Sequence, residues 1–294
     1  MENKILQYIK DYNIIGIGES THGQKNINIL RFNLIKNLLE INKNKNLYVC
    51  IEDHYSICKY LNKYIHNKNI NFIKYFNKLM PPIFKNIYFY KFLHWCKNHN
   101  NKNKNKIFLY GLDMRFNYYK SYTKLNKYVY KLHQKVSEDY TNRDYYMFQI
   151  FQYIYNSNKN KLNDTYFLIA HNGHINYFNI FEKPSIGTLL KNNHYNYCAI
   201  YSAFNYGKYT AFNPTLKKFQ IITVNKKSSF IKSGFYILDK STKNKKYYAY
   251  EGGFEGDTNK PYYYYYKRIL NYKVTNGIII LSNELPLKIY YYKK

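Results

Sequence analysis

Four short segments of this chain carry side chains able to move protons or hold a developing negative charge. Gly18-Glu19-Ser20-Thr21-His22-Gly23 sets an acid three positions before a histidine, and Glu52-Asp53-His54 groups two acids with another. Gly111-Leu112-Asp113-Met114-Arg115 offers an acid and an arginine, and His171-Asn172-Gly173-His174 offers two histidines three apart. Arg31 follows nine residues after His22. A neutral imidazole can take a proton from water near pH 7, and a carboxylate partner fixes its tautomer and raises its basicity. Arginine and a second histidine can stabilise an oxyanion. The chain has no G-x-S-x-G elbow, no H-E-x-x-H and no P-loop, so direct attack by water fits it best.

Each segment also has a plain structural explanation. Glu19 with Ser20 and Thr21 could cap a helix. Glu52 could be a solvated loop acid, Asp113 could pair with Arg115, and His171 with His174 could form an ordinary polar turn. What favours a site is their common position. Apolar runs precede all four: Asn13–Gly18, Leu47–Ile51, Ile107–Tyr110 and Tyr166–Ala170 read as strands. Helical patterns separate them, at 27–39, Tyr55–Ile65, 86–99, 119–136 and 143–156, with an Asn/Lys loop at 100–106. A short helix near Ile186–Lys191 leads into another strand, Tyr197–Tyr201. Strands alternating with helices imply an α/β fold with a central, largely parallel sheet flanked by helices. In such a sheet every one of the four segments lies at the carboxyl ends of the strands, where α/β proteins place their sites. Asp113 and Asn172, at that edge, are expected to contact substrate.

The last third is less patterned. Gln220–Val224 and Gly277–Leu281 read as strands, and the run Tyr262–Tyr266 as compositional low complexity. With no internal repeat and no Pro/Gly-rich linker, residues 1–294 are expected to form one domain. His66, His99, His133 and His194 receive no role, and His94 beside Trp95 reads as a core or rim histidine.

The balance of 46 Lys+Arg against 17 Asp+Glu gives a net charge of +29. Such a surface could bind phosphate through counterion release. The lysines are scattered, however, and travel with Asn, Ile and Tyr, residues that share AT-rich codons. No compact arginine patch, RNP-like motif or zinc-finger spacing accompanies them, so nucleic acid is not the expected partner. Cys50, Cys58, Cys96 and Cys198 lie far apart without C-x-x-C, which fits free buried thiols in a reducing compartment. The first residues lack a signal-peptide core, and no apolar run approaches the ~18–20 residues that span a bilayer. A soluble, cytoplasmic protein is expected.

The segments taken together resemble the erythromycin esterase family. Gly18–Gly23 is similar to its GE-[AS]-THG motif. The likeness continues through Arg31, Ile51-Glu52, Leu61-Asn62, Gly111–Met114, Arg143-Asp144 with Met147, and Ala170–His174. Gly187–Leu190 and Asn276–Ile280 complete it, so it runs from about residue 13 to 287. The resemblance implies an α/β enzyme that opens macrolide lactones by hydrolysis, with Glu19, His22, Arg31, Glu52, His171 and His174 as its functional set. It casts His22 as general base, Glu19 and Glu52 as groups that hold or polarise it, and Arg31, His171 and His174 as organisers of the cleft. The implied partner is a small-molecule ester or lactone. No cofactor is called for, although His and carboxylate groups at one crevice keep a divalent metal open. Three departures stand out: Asn26 and Gln149 where the family often has Glu, and a short stretch between Asp113 and Arg143. A reduced lid there leaves the substrate open beyond macrolides. Two alternatives remain at this level: a divalent-metal-dependent hydrolase of another bond, and a basic nucleic-acid-binding protein.

Overall fold

A computed structural model describes all residues except 68–69, 81–83, 114–126, 181, 226–231, 244–246, 253–264, 282 and 289–294. In chain order its elements begin with α1 (Glu2–Ile9), β1 (Ile14–Glu19), α2 (Lys25–Ile41), β2 (Leu47–His54) and α3 (Tyr55–Ile65). Next come α4 (Phe72–Leu79), α5 (Ile87–Lys102), β3 (Ile107–Asp113), α6 (Lys127–Glu138) and α7 (Arg143–Ser157). Then follow β4 (Thr165–His171), α8 (Asn172–Ile175), β5 (Asn179–Ile180), β6 (Lys183–Pro184), α9 (Ile186–Asn192) and β7 (Tyr197–Phe204). The chain ends with β8 (Tyr206–Asn213), β9 (Lys218–Asn225), β10 (Gly234–Ile237), β11 (Tyr247–Gly252), β12 (Tyr265–Leu270) and β13 (Gly277–Leu281).

Seven strands form the central sheet in the order β10-β13-β7-β1-β4-β2-β3, parallel throughout except for β10 at one edge. Side chains alternate across it, as the two-residue period of a strand requires. Ile15, Ile17, Val49, Ile51, Phe167 and Ile169 join one core with residues of α1 to α5. Ile14, Tyr48, Cys50, Tyr166, Leu168 and Ala170 join the other with α6, α7 and α9. Because both faces are covered, the strands read as continuous apolar runs rather than alternating ones. Burying each Ile or Phe in these layers is worth about 1.5–3 kcal/mol. This is the mixed α/β architecture expected from the sequence.

The differences are local. Helix α5 runs on through Lys102, into the segment expected to be loop. The reason is Asn100, which is buried and whose amide donates to the carbonyls of Ile65 and Ile107 while accepting from Ile107 N. Among the described residues strand β9 pairs only with β8, in a hairpin outside the sheet, with alternate residues exposed over its second half. The helix expected over 119–136 is described from Lys127. Met114, Arg115 and Tyr262–Tyr264 lie outside the described residues. All four cysteines are free and buried. Among the described residues no helix is long and apolar enough to cross a membrane.

Candidate active site

Register places the polar segments before any side chain is considered. Glu19 is the last residue of β1 and lies opposite His171, the last residue of β4. Strand β2 runs beside β4 up to Ile51↔Ile169, and its pairing with β3 shifts between Ile51 and His54. A register break of this kind re-aims the side chains within it, here Glu52 and Asp53. Gly18 permits the close approach at the centre. A Cβ there would stand 2.2 Å from Asn172 Oδ1.

One arm of the site grows from β1 and α2. Arg31 is fully buried, donating from Nε to the Ile17 carbonyl at 2.9 Å and from Nη2 to the Ala170 carbonyl at 2.9 Å. Its remaining Nη1 donates to Glu19 Oε2 at 2.7 Å. The other carboxylate oxygen, Oε1, stands 2.6 Å from His22 Nδ1. Burial pushes the Glu19 carboxyl up, but Arg31 and then His22 outweigh it and hold the pKa below the usual range. A neutral ring that gives its Nδ1–H to Glu19 carries its lone pair on Nε2. His22 is partly exposed, whereas Glu19 and Arg31 are buried.

The second arm grows from β2, β3, α7 and α8. Arg143, at the start of α7, donates from Nη2 to Glu52 Oε1 at 2.6 Å and to Asp113 Oδ2 at 2.8 Å. Its Nε reaches Asp113 Oδ1 at 3.2 Å. Its Nη1 lies 2.8 Å from His174 Nε2, and His174 Nδ1 donates to Asp144 Oδ1 at 2.8 Å. Burial raises the Glu52 pKa, but His174 and Arg143 reverse this and hold it well below the usual value. For His174, burial works against the cation, yet Asp144 and Glu52 overcome it and push the pKa up to about 9. In the neutral ring Nε2 accepts from that Arg143 N–H, since a guanidinium can only donate. In the cation the Nε2–H has Glu52 Oε1, 3.3 Å away, as its acceptor.

His171 stands between the arms, its ring centroid 5.4 Å from that of His22. Its Nε2 donates to the Gly252 carbonyl at 2.7 Å, and its Nδ1 accepts from Gly173 N at 3.2 Å. Its backbone N donates to Glu52 Oε2 at 2.8 Å, joining it to the second arm. Burial lowers the His171 pKa, although Glu251 opposes the shift, in keeping with the lone pair that Nδ1 offers Gly173 N.

The expected residues are therefore in one place: Glu19, His22, Arg31, Glu52, His171 and His174 form one connected, largely buried cluster at the strand ends. Asp113 and Asn172 are there too, but turned inward. Asp113 is engaged by Arg143. Asn172 is fully buried, donating to the Ser202 carbonyl at 2.8 Å and accepting from Ser202 N at 3.1 Å. Among the described residues no group of three or more His, Cys, Asp or Glu side chains is placed to hold a metal ion.

Sequence reasoning gave Arg143, Asp144, Gly252 and Glu251 no individual part in the site. Glu251 is fully buried, accepting from Tyr201 Oη at 2.9 Å and from Arg268 Nε at 2.6 Å. A signal for the arginines was present. Only four of the 46 basic residues are arginine, and Arg31, Arg143 and Arg268 each hold a buried carboxylate. The planar guanidinium matches a carboxylate in a way that lysine does not, so an arginine in this lysine-rich chain points to a specific ion pair.

The family model for erythromycin esterase matches residues 47–142. No curated protein sequence matches significantly. Three solved structures share the fold. A Bacillus cereus protein is 15% identical with a TM-score of 0.65, covering 99% of both chains. A succinoglycan biosynthesis protein is 16% identical with a TM-score of 0.67, covering 98% of this chain and 92% of the other. A histidine-to-asparagine variant of the erythromycin esterase EreC in its open conformation is 12% identical with a TM-score of 0.60, covering 96% and 93%. The chain thus resembles the erythromycin esterases, in sequence over residues 47–142 and in fold over nearly its whole length.

Proposed function

We propose that this protein is a hydrolase of carboxylic esters or lactones, in which His22 activates the attacking water. The observation that carries the reading is the Glu19–His22 pair, 2.6 Å apart and anchored by the fully buried Arg31. Glu19 fixes the Nδ1–H tautomer and stabilises the imidazolium formed as water gives up its proton, the role of the acid in any His–carboxylate pair. Water adds to the carbonyl carbon, its proton passes to Nε2, and collapse of the tetrahedral oxyanion expels the alkoxide, which regains that proton. Arg143 and His174, in the second arm, supply the positive charge that stabilises the oxyanion. Asp113 and Asn172 act in this scheme by positioning Arg143 and the β4–β7 strand ends rather than by touching substrate.

The likeness to the erythromycin esterases supports an ester bond as target. It does not select a macrolide, because the same fold also serves a succinoglycan biosynthesis protein and fold alone does not fix function. The test is mass spectrometry of erythromycin and a panel of simpler esters and lactones, incubated with wild-type protein and His22→Ala. Addition of one water by wild type alone is the expected result. Equal turnover by both would remove His22 from the mechanism.

A further inference from the structure

The turn that carries Glu19 and His22 is held from a distant part of the chain. Gln24 directly precedes α2 yet makes no side-chain cap bond to its own helix. Its Oε1 instead accepts from Ser20 N at 3.0 Å, Ser20 Oγ at 3.0 Å and Thr21 N at 3.1 Å. One amide oxygen therefore gathers the two residues between the acid and the histidine. For Oε1 to face them, Nε2 must point the other way, and there it donates to Glu284 Oε2 at 3.3 Å. Glu284 Oε1 accepts from Asn26 N at 2.6 Å and from Leu285 N at 3.0 Å. Both Gln24 and Glu284 are fully buried.

The first turn of α2 contains no acid of its own, and a helix start leaves backbone N–H groups that need acceptors. Glu284 supplies one across 258 positions of sequence. The backbone around it is pinned on both sides. Lys25 N donates to the Leu285 carbonyl and Leu287 N to the Gly23 carbonyl, while Glu284 N donates to Tyr206 and Lys208 N donates to Glu284. Gly207, at φ +140°, lets β8 come this close, since a Cβ there would stand 2.4 Å from the Glu284 carbonyl oxygen.

We propose that Glu284 is a positioning residue for the reaction: through Gln24 it orients the Ser20–Thr21 turn and so aims His22. The proposal rests on the reading of His22 as the base, and amide exchange tests the relay independently of that reading. The chemistry of the relay is polar and directional. An amide at 284 must either present N–H to Gln24 Nε2, donor against donor, or give up Asn26 N. A carboxylate at 24 alone faces the Glu284 carboxylate. Exchanging the two groups restores one donor and one acceptor, and leaves the negative charge beside the α2 N-terminus, where it is favourable.

Burial pushes the Glu284 carboxyl up to about 7, although bonds from Asn26, Leu285 and Gln24 oppose this. The test is therefore run at pH 8, on Glu284→Gln, Gln24→Glu and the double variant. Two readouts are taken: hydrolysis of p-nitrophenyl acetate, and hydrogen exchange at the Ser20 and Thr21 amides. Each single variant should exchange these amides about tenfold faster or more, and lose about tenfold in kcat with KM within about twofold. The double variant should recover most of both. Unchanged protection of Ser20 and Thr21 in Glu284→Gln, or a double variant no better than either single one, would overturn the proposal. If the singles fail to fold, Gln24→Met cuts the relay while leaving Glu284 on Asn26, and undisturbed amides there also overturn it. Should wild type hydrolyse no ester, the reading of His22 fails while the exchange data still decide whether Glu284 holds the turn.

Discussion

The two arms of the crevice use the same three residue types in different proportions. The first joins one carboxylate, Glu19, to one buried arginine and one histidine. The second gathers Glu52, Asp113 and Asp144 around Arg143 and His174. With a single acid, His22 keeps a partly exposed ring. With Asp144 and Glu52 beside it, His174 is buried and would hold a proton up to about pH 9. In the proposed mechanism, the number of acids beside each histidine, rather than the identity of the residues, sets their roles apart.

The sharpest way to break this comparison is to remove each histidine in turn. His22→Ala should cost on the order of 10³-fold in hydrolysis, with an unchanged circular dichroism spectrum. His174→Ala should cost less in rate and more in stability, because it leaves Asp144 and Glu52 facing each other. A reversed order in either measurement would exchange the roles of the arms.

Truncating the arginines should rank next. Removing one partner of a buried pair costs about 3–5 kcal/mol. Arg143→Ala should lie at or above the top of that range, since it strands two acids, and Arg31→Ala within it. Urea unfolding at pH 7 gives both values, and an Arg31→Ala variant less stable than Arg143→Ala would contradict the arrangement.

Acid should loosen both arms. The pKa values of Glu19 and Glu52 are lowered from about 4.5 by their cationic partners, after the opposing effect of burial. A depressed carboxyl contributes stability that is present above its unfolded pKa and lost as pH falls through the folded one. Unfolding free energy should therefore decline below about pH 4.5, and Glu19→Gln or Glu52→Gln should flatten the decline. A wild-type stability that rose through this window would remove the ion pairs from the account.

The smallest effect belongs to Gln149, which is partly exposed and donates to Tyr145 Oη at 2.8 Å, away from the crevice. Gln149→Glu should change stability by less than about 0.5 kcal/mol and leave the rate untouched. A marked gain in hydrolysis would show that the second arm extends further along α7.

Much of the fold was legible because its causes are local. β1, β2, β3, β4 and β7 are apolar runs between helical patterns, and α3 begins and ends where its periodicity does. The exceptions arose where a long-range contact decided the outcome. Asn100 extends α5 by bonding Ile65 and Ile107, and β9 joins β8 in a hairpin rather than the central sheet. Spacing left open which way Arg31 turns; it is fully buried, with Nε and Nη2 spent on the carbonyls of Ile17 and Ala170.

The sequence by itself determined the parallel sheet, the edge at which the polar segments collect, and the inventory of acids and histidines delivered there. Period and spacing suffice for that, because strand direction and side-chain alternation follow from the backbone. Only the tertiary structure decided which acid meets which base. Arg143 arrives from 91 residues beyond Glu52, Gly252 from 81 beyond His171, and Glu284 from 258 beyond Asn26. Ion pairing and hydrogen bonding act over about 3 Å, so they are set by how the layers pack, and no local pattern encodes which distant residue will complete them.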